Sequence, residues 1–193
     1  SLVIIIKPLL DNLKLTNNID LLSYGINLLN LLMNFDSVLN TLIENNSILK
    51  ILPLCQHNND EILLKAFQFI NNILLKSVPN EDFIKLFISC FPSYKIFNST
   101  ELTIQPLKII FLLLKQDGFI SKFTNSILFL MKYFNCKDPI IISYSLKLTF
   151  ALITDIKLSA KFSVFISTIV SLLKIDSENV SLLAAACITK MIP

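Results

Sequence analysis

The chain has 193 residues, enough for one domain or a short repeat array that buries its own core. Apolar residues make up 53% of it, charged residues only 16%, and the net charge of +3 gives no basic field typical of nucleic-acid binding. Glycine occurs only at Gly25 and Gly118, too few for the tight turns of an all-β protein, so the composition favours helices.

The high apolar content raises the question of a membrane span, which needs about 18 or more apolar residues in an uncharged run. The most apolar stretches, residues 21–35, 140–146 and 162–173, are too short or contain Ser, Asn or Tyr, and charged residues close each of them. The first residues are apolar but lack the basic segment and cleavage site of a signal peptide. We therefore expect an intracellular protein without a membrane span, cytoplasmic rather than nuclear.

Five long apolar-periodic helices are predicted, and each follows a polar break. In chain order they are NNIDLLSYGINLLNLLMN, NNDEILLKAFQFINNILLK, NSTELTIQPLKIIFLLLK, KDPIIISYSLKLTFALIT and DSENVSLLAAACITKMI. Asn and Ser at such breaks are favoured N-caps, because their side chains accept from the unpaired N–H groups of the first turn. Acidic residues at or just after the breaks complement the helix dipole, so five helix starts are marked.

Shorter helices are predicted between the long ones. They cover Ile4 to Leu15, Ser47 to Gln56, Glu81 to Phe91, Ser121 to Asn135 and Ala160 to Ile175, with a short piece over Asp36 to Glu44. After the third long helix, residues 115–118 predict a helix stop in which Gly118 supplies the left-handed cap. Each unit is therefore expected to contain two helices and sometimes part of a third.

When the five long helices are aligned, one position in their first half is occupied by a small residue or by proline. We call this aligned position the small column. It consists of Gly25, Ala66, Pro106, Ser145 and Ala185, in steps of 41, 40, 39 and 40 residues. A side chain no larger than Ser lets a neighbouring helix approach closely, whereas Pro106 is expected to kink or start its helix. Tyr24 and Tyr144, one residue before this column, are expected to pack rather than to stack on bases.

A period of about 40 residues built from paired helices resembles armadillo and HEAT repeats over essentially the whole chain. In armadillo repeats the long helix carries a small residue and often an Asn several residues later, similar to Gly25 with Asn30 and Ala66 with Asn71 or Asn72. The later units depart from that pattern. The chain also contains no Trp, unlike the nuclear-import members that hold basic peptides with Trp and Asn ladders.

The resemblance implies an all-α, right-handed α-solenoid, expected here as part of a longer array. Its five units would cover about residues 1–35, 36–77, 78–117, 118–155 and 156–193. It also implies a non-enzymatic scaffold or adaptor without a cofactor that binds another protein on its concave face, which the long helices line.

The side chains that point away from the packed side of each long helix form the predicted partner-binding stripe. At 3.6 residues per turn they lie two, five and nine positions after the small column. They are Asn27, Asn30, Asn34, Gln68, Asn71, Leu75, Lys108, Phe111, Lys115, Lys147, Phe150, Thr154, Cys187 and Lys190. The amides of the first half suit an extended backbone, and Lys beside Phe in the second half suits an acidic amphipathic segment. A solvated helix face would show the same polar residues, so that alternative stays open.

No catalytic or metal-binding motif is present. The four cysteines, Cys55, Cys90, Cys136 and Cys187, lie 35, 46 and 51 residues apart without a C-x-x-C pair, so reduced thiols acting as small core residues are expected. His57, the one histidine, lies in a predicted turn and is interpreted as a surface residue. Phosphate loops, nucleophile elbows and zinc-protease helices are absent from the sequence.

Two other functions remain open beside the scaffold. A structural subunit of a large assembly, with both faces buried, would account for the abundance of Phe and Ile. A helical-repeat nucleic-acid binder is less favoured, because the stripe lacks a consistent base-reading position. Residues 2–6 and 182–186 are apolar, whereas terminal repeats need a polar outer face, so we expect both ends to be covered by further repeats or by partners.

Overall fold

The computed structural model describes residues 3–116, 118–154 and 161–192. Within these residues the regular structure is entirely helical, with twelve α-helices and four short 3-10 helices. The α-helices are α1 (Val3–Leu15), α2 (Ile19–Leu32), α3 (Asp36–Glu44), α4 (Ser47–Ile51), α5 (Asp60–Leu74), α6 (Glu81–Cys90), α7 (Thr100–Leu113), α8 (Phe119–Phe123), α9 (Met131–Phe134), α10 (Pro139–Leu152), α11 (Ile166–Leu172) and α12 (Glu178–Met191). The 3-10 helices are Leu52–Gln56, Phe91–Ser93, Thr124–Leu130 and Ser163–Phe165. The predicted all-α class is confirmed.

The five predicted long helices are α2, α5, α7, α10 and α12, and the polar breaks do start them. Asn18, Asn59, Ser99 and Asp138 each accept a hydrogen bond through the side chain from an N–H group of the first turn. Ser177 is also an N-cap residue, although its side chain makes no such bond. These bonds satisfy N–H groups that have no partner inside the helix, which explains why the breaks mark helix starts.

The chain divides into two compact units, Ser1–Phe87 and Ile88–Pro193. In the first unit α1 packs against α2, α3 and α4, and α5 packs on α2. In the second unit α10 packs against α7, α9 and α12, and α12 also packs on α11. Within each unit, the repeated motif is therefore a long helix that packs on the preceding long helix and also on shorter helices.

The shorter helices are more broken than predicted. The segment from Ser47 to Gln56 is α4 followed by a 3-10 helix, and Pro53, which has no N–H to donate, lies at the start of that second piece. The segment from Ser121 to Asn135 lies in α8, a 3-10 helix and α9. Of the last predicted segment, residue 160 lies outside the described residues, and the remainder contains a 3-10 helix and α11.

The small column shows where neighbouring helices come closest. Gly25 is buried in α2, and a Cβ built on it would lie 2.5 Å from Leu13 Cδ2 of α1. Ala66 and Ser145 are also fully buried, at 0% exposure. A side chain at position 25 would therefore have to displace the buried Leu13 side chain of α1. Tyr24, the residue before Gly25, was expected to pack, but it is 72% exposed.

Two details of the column differ from the prediction. Gly25, Ala66, Pro106 and Ser145 each lie seven residues after an N-cap, but seven residues after Ser177 is Ala184. Ala184 is fully buried and Ala185 is exposed, so the predicted register of the fifth unit was wrong by one residue. Three consecutive alanines offer no contrast in size, and only burial separates them.

The two residues expected to break helices also behave differently. Pro106 was expected to kink or start its helix; it lies inside α7 rather than at its start, and beside it the side-chain amide of Gln105 donates to the carbonyl of Glu101 at 3.0 Å. Gly118 has the predicted left-handed backbone, with φ of 72°. However, α7 already ends at Leu113, so Gly118 is the N-cap residue of α8 rather than the cap of α7.

Among the described residues, no helix is both long and apolar enough to cross a bilayer.

Candidate partner-binding surface

In the first unit, the long helices form an open, amide-lined groove. Asn27, Asn30 and Gln68 of the predicted stripe line it together with Leu31 and Asn72, and its volume is about 600 Å³. The Asn72 amide donates to the Asn30 side-chain oxygen at 3.3 Å, so the facing amides of α2 and α5 are within reach of each other. Such carboxamides offer both donors and acceptors to an extended backbone.

Asn71 was predicted to lie on the stripe, but it is only 7% exposed. It follows Phe67 by four positions and precedes Leu74 by three, and both of these residues are buried. Since positions three and four apart share one helix face, Asn71 belongs to the buried side of α5. The prediction for Asn71 was therefore wrong, and its neighbour Asn72 contributes the exposed amide.

In the second unit, two lysines of the stripe flank one aromatic ring. Lys108 Nζ of α7 lies 6.0 Å and Lys147 Nζ of α10 lies 5.8 Å from the centre of the Tyr144 ring. Tyr144 is half-buried, as expected for a packing residue, while Lys147 is exposed. A ring attracts cations over its face, so Tyr144 holds two ammonium groups at one place on the surface.

Aromatic side chains beside these lysines are accessible. Phe111 is 44% exposed and Phe150 is 37% exposed, and Lys190 Nζ lies 4.3 Å from the centre of the Phe150 ring. None of the ion pairs in the described residues involves Lys108, Lys147 or Lys190. This part of the surface therefore combines positive charge with apolar area.

A shallow groove continues from Tyr144 toward the last long helix. It has a volume of about 240 Å³ and is lined by Tyr144, Lys147, Ile140 and Asn179, among others. Asn179 at the start of α12 donates to the Ser143 hydroxyl at 3.1 Å, which joins α12 to α10 at the floor of the groove.

The remaining stripe residues fall in three groups. Asn34, Leu75, Lys115 and Thr154 are exposed and lie just after their helices. Lys190 is exposed near the end of α12. Cys187 is fully buried, because the correct register of α12 places it three rather than two positions after the small column. Its prediction as a stripe residue was wrong.

The burial of Cys187 makes its thiol unreactive. Burial raises its pKa to about 12, although the charge of Lys190 opposes this, and the thiol donates to the Leu146 carbonyl at 3.5 Å. Because only the thiolate is nucleophilic, iodoacetamide at pH 8 should modify the half-buried Cys90 and Cys136 while leaving Cys187 intact. Mass spectrometry of peptides measures this, and all four cysteines should react in urea. If native Cys187 were modified as fast as Cys136, its thiol would be accessible, and the register of α12 predicted from the sequence would be favoured over that of the structure.

The hydrogen bonds between stacked long helices also shift carboxylate pKa values. A hydrogen bond from Lys65, four residues later in the same helix α5, lowers the pKa of Glu61, and the Ser23 hydroxyl of α2 donates a second bond at 2.9 Å across to α5. At the equivalent step in the second unit, the Thr100 hydroxyl donates to Asp138 and lowers the pKa of that carboxyl. These carboxylates are therefore hydrogen-bonded within α5 or to a neighbouring long helix, and their lowered pKa values have a structural cause.

The other candidate groups have structural surroundings. His57 is half-buried in the turn before α5, where its Nδ1 accepts from the Asn59 N–H at 3.0 Å. None of the four cysteines forms a disulfide, and Cys55 and Cys187 are buried. In the part of the chain that the structure describes, no three His, Cys, Asp or Glu side chains are grouped so that they could hold a metal.

Stacked long helices backed by shorter ones, repeating about every 40 residues, define the fold as an armadillo-like α-solenoid. The chain is similar in structure to the designed armadillo repeat protein YIII(Dq)4CqI, with a TM-score of 0.70, 14% identity, and coverage of 95% of this chain and 81% of that one. It is also similar to two engineered proteins from the Northeast Structural Genomics Consortium, both with a TM-score of 0.71. One is 12% identical and matches 95% of this chain and 79% of its own, and the other is 11% identical and matches 96% and 78%. At these identities the likeness shows the fold alone.

No protein-family model matches the sequence, and no curated protein matches it significantly.

Proposed function

We propose that this chain is a non-enzymatic adaptor that binds an acidic, amphipathic segment of a partner protein on the exposed faces of its long helices. The armadillo-like fold is typical of protein-binding scaffolds. The observation that carries the proposal is the convergence of Lys108 and Lys147 on the Tyr144 ring, with exposed phenylalanines beside it.

The chemistry of this surface favours an acidic partner with apolar anchors. A carboxylate near Tyr144 would meet two ammonium groups that no described acidic side chain neutralises. Phe111 and Phe150 together offer apolar area that an aliphatic or aromatic side chain of the partner would cover. Aromatic residues are enriched at protein interfaces, and the rims of interfaces are polar.

The amide groove of the first unit supports the same class of function by a different chemistry. Asn27, Asn30, Gln68 and Asn72 line about 600 Å³ of open space and can hydrogen-bond an extended main chain without regard to its sequence. We propose that this groove, taken by itself, binds an extended backbone, and that the lysine and phenylalanine surface of the second unit independently selects an acidic ligand.

Selection of peptides from a random phage-displayed library on the immobilised chain tests the proposal. The selected peptides should be enriched in Asp and Glu alternating with Leu or Phe. Lys108→Glu with Lys147→Glu should weaken their binding at least about tenfold, because two attractive contacts become repulsive and a factor of ten is about 1.4 kcal/mol. Binding should also weaken as salt rises.

A matched double variant controls for net charge. Lys95→Glu with Lys174→Glu makes the same change at two exposed lysines that lie outside α7 and α10, and it should leave peptide affinity within about a factor of two. Selected peptides without acidic residues, or equal losses in the two double variants, would rule out the proposed surface.

A further inference from the structure

A small pocket in the first unit lies where the turn between α3 and α4 meets the loop between α5 and α6. Its volume is about 130 Å³, and it shares no lining residue with the amide groove. Leu42, Ile48 and Ile73, which are all buried, form much of its apolar wall. The described residues that line it include several polar side chains but no charged one. The pocket is therefore neutral and partly polar.

Two asparagines join the loops on either side of this pocket. The side-chain nitrogen of Asn80 donates to the side-chain oxygen of Asn46 at 3.0 Å, and the Asn80 oxygen accepts from the Phe83 N–H at 2.9 Å. Asn46 has a left-handed backbone with φ of 50°, which asparagine tolerates better than most other side chains do. Because the bond to Asn80 uses the Asn46 oxygen, the N–H groups of the exposed Asn46 amide are left for a ligand.

Ser47, which also lines the pocket, carries a polar group that the fold does not satisfy. The residue is 1% exposed, and no described residue hydrogen-bonds its hydroxyl. The nearby Ser77 hydroxyl, in contrast, donates to the Ile73 carbonyl at 3.0 Å. A buried hydroxyl without a partner has lost its bonds to water and lowers stability. The Ser47 hydroxyl therefore points to a ligand that supplies the missing hydrogen bond.

The size and chemistry of the pocket restrict what it can hold. A cavity of about 150 Å³ accommodates one benzene molecule, whereas sites for whole small-molecule ligands measure about 300 to 1,000 Å³. A pocket of about 130 Å³ thus suits a single ring. A charged group would find no opposite charge among the lining residues, so a neutral one is favoured. A tyrosine side chain is neutral and combines an apolar ring with a hydroxyl that both donates and accepts.

We propose that this pocket binds a tyrosine side chain of a partner protein, with the ring against the apolar wall and the phenol hydroxyl hydrogen-bonded to Ser47 and Asn46. The pocket is too small for more than the side chain, so the partner's main chain lies outside it. There Val78, a lining residue that is 75% exposed, offers apolar area to the residues beside the tyrosine. The proposal uses neither the amide groove nor the lysine and phenylalanine surface, so it is independent of the proposed function.

Titration of the full chain with p-cresol, the side-chain analogue of tyrosine, tests this site by methyl NMR. The methyl signals of Leu42, Ile48 and Ile73 should shift with a dissociation constant of about 1 mM, whereas those of Leu10 and Leu113, buried elsewhere, should not. Toluene has the ring without the hydroxyl and should bind at least about fivefold more weakly. N-acetyltyrosine amide should bind as well as p-cresol, because its main-chain groups remain outside the pocket.

Ser47→Ala separates a ligand-binding hydroxyl from a structural one. Since the hydroxyl has no partner in the described fold, its removal should leave the urea midpoint unchanged or raise it. The variant should nevertheless bind p-cresol at least about fivefold more weakly and bind toluene as the parent does. Ser37→Ala makes the same change at an exposed position of α3 outside the pocket and should alter neither affinity. Asn46→Gly keeps a residue that tolerates the left-handed backbone and should also weaken p-cresol binding several-fold.

Other results would overturn the proposal. If p-cresol left the methyl signals of Leu42, Ile48 and Ile73 in place, the pocket would hold water only. Equal affinities of the parent for p-cresol and toluene, or a preference that survives in Ser47→Ala, would exclude recognition of the phenol hydroxyl. Tighter binding of propionamide, the glutamine side-chain analogue, would assign the pocket to an amide instead. Binding of p-cresol without binding of N-acetyltyrosine amide would exclude a tyrosine within a protein.

Discussion

Replacing Phe91 with alanine should destabilise the second unit by about 3 to 5 kcal/mol, the usual loss for a fully buried phenylalanine. Phe91 is 0% exposed, and its ring centre lies 5.4 Å from that of Phe123 and 6.3 Å from those of Tyr94 and Tyr133. Lys132 Nζ also lies 5.5 Å from it. Because domains are stable by only about 5 to 15 kcal/mol, this one change should remove a large part of the total.

Urea unfolding followed by circular dichroism measures this loss. Phe129→Ala is the matched control, since Phe129 is 41% exposed in the same unit and should lose less than about 1 kcal/mol. Equal losses in the two variants would mean that the aromatic cluster around Phe91 is not the core of the unit.

Gly25→Ala should destabilise the first unit by about 1 to 3 kcal/mol, the range observed when a methyl group is forced into a packed core. A glycine inside a helix is normally about 0.5 to 1 kcal/mol worse than alanine, so the substitution would otherwise be stabilising. Here the added Cβ would meet Leu13 Cδ2 at 2.5 Å and Cγ at 3.2 Å, and Leu13 is only 3% exposed. Helix propensity alone would predict that Gly25→Ala raises the stability of the first unit, but because α1 packs closely on α2 we expect the substitution to lower it.

A double-mutant cycle separates this clash from other effects. Leu13→Ala leaves a cavity beside position 25, so Gly25→Ala made in that background should be much less destabilising than in the parent. Asn27→Ala, at an exposed position of the same helix, controls for helix propensity and should change stability by less than about 0.5 kcal/mol. Equal effects of Gly25→Ala in both backgrounds would contradict the close approach.

The helix starts were predictable because their signals are local. An Asn, Ser or Asp side chain that accepts from an N–H two or three residues later needs nothing from the rest of the chain. The bounds predicted for α3, Asp36 to Glu44, are those of the structure. The spacing of the same polar breaks gave the repeat period, and the all-α repeat fold was inferred from that period.

The candidate site was predicted less completely. Asn27, Asn30 and Gln68 lie together in one groove, and Lys108 and Lys147 both lie near the Tyr144 ring. Tyr144 and Asn72 lie outside the predicted stripe, yet they join its residues across neighbouring helices. A pattern along one helix does not show which side chain of the next helix it meets.

The amino-acid sequence by itself determined the all-helical repeat, its five long helices and the residues that begin them, because caps, dipoles and apolar periodicity act within a few residues. Tertiary structure decided that Asn71 is buried and Asn72 exposed, and that Ala184 rather than Ala185 occupies the small column. These outcomes depend on which helix packs on which, and a residue's burial is a property of that pairing rather than of its own identity.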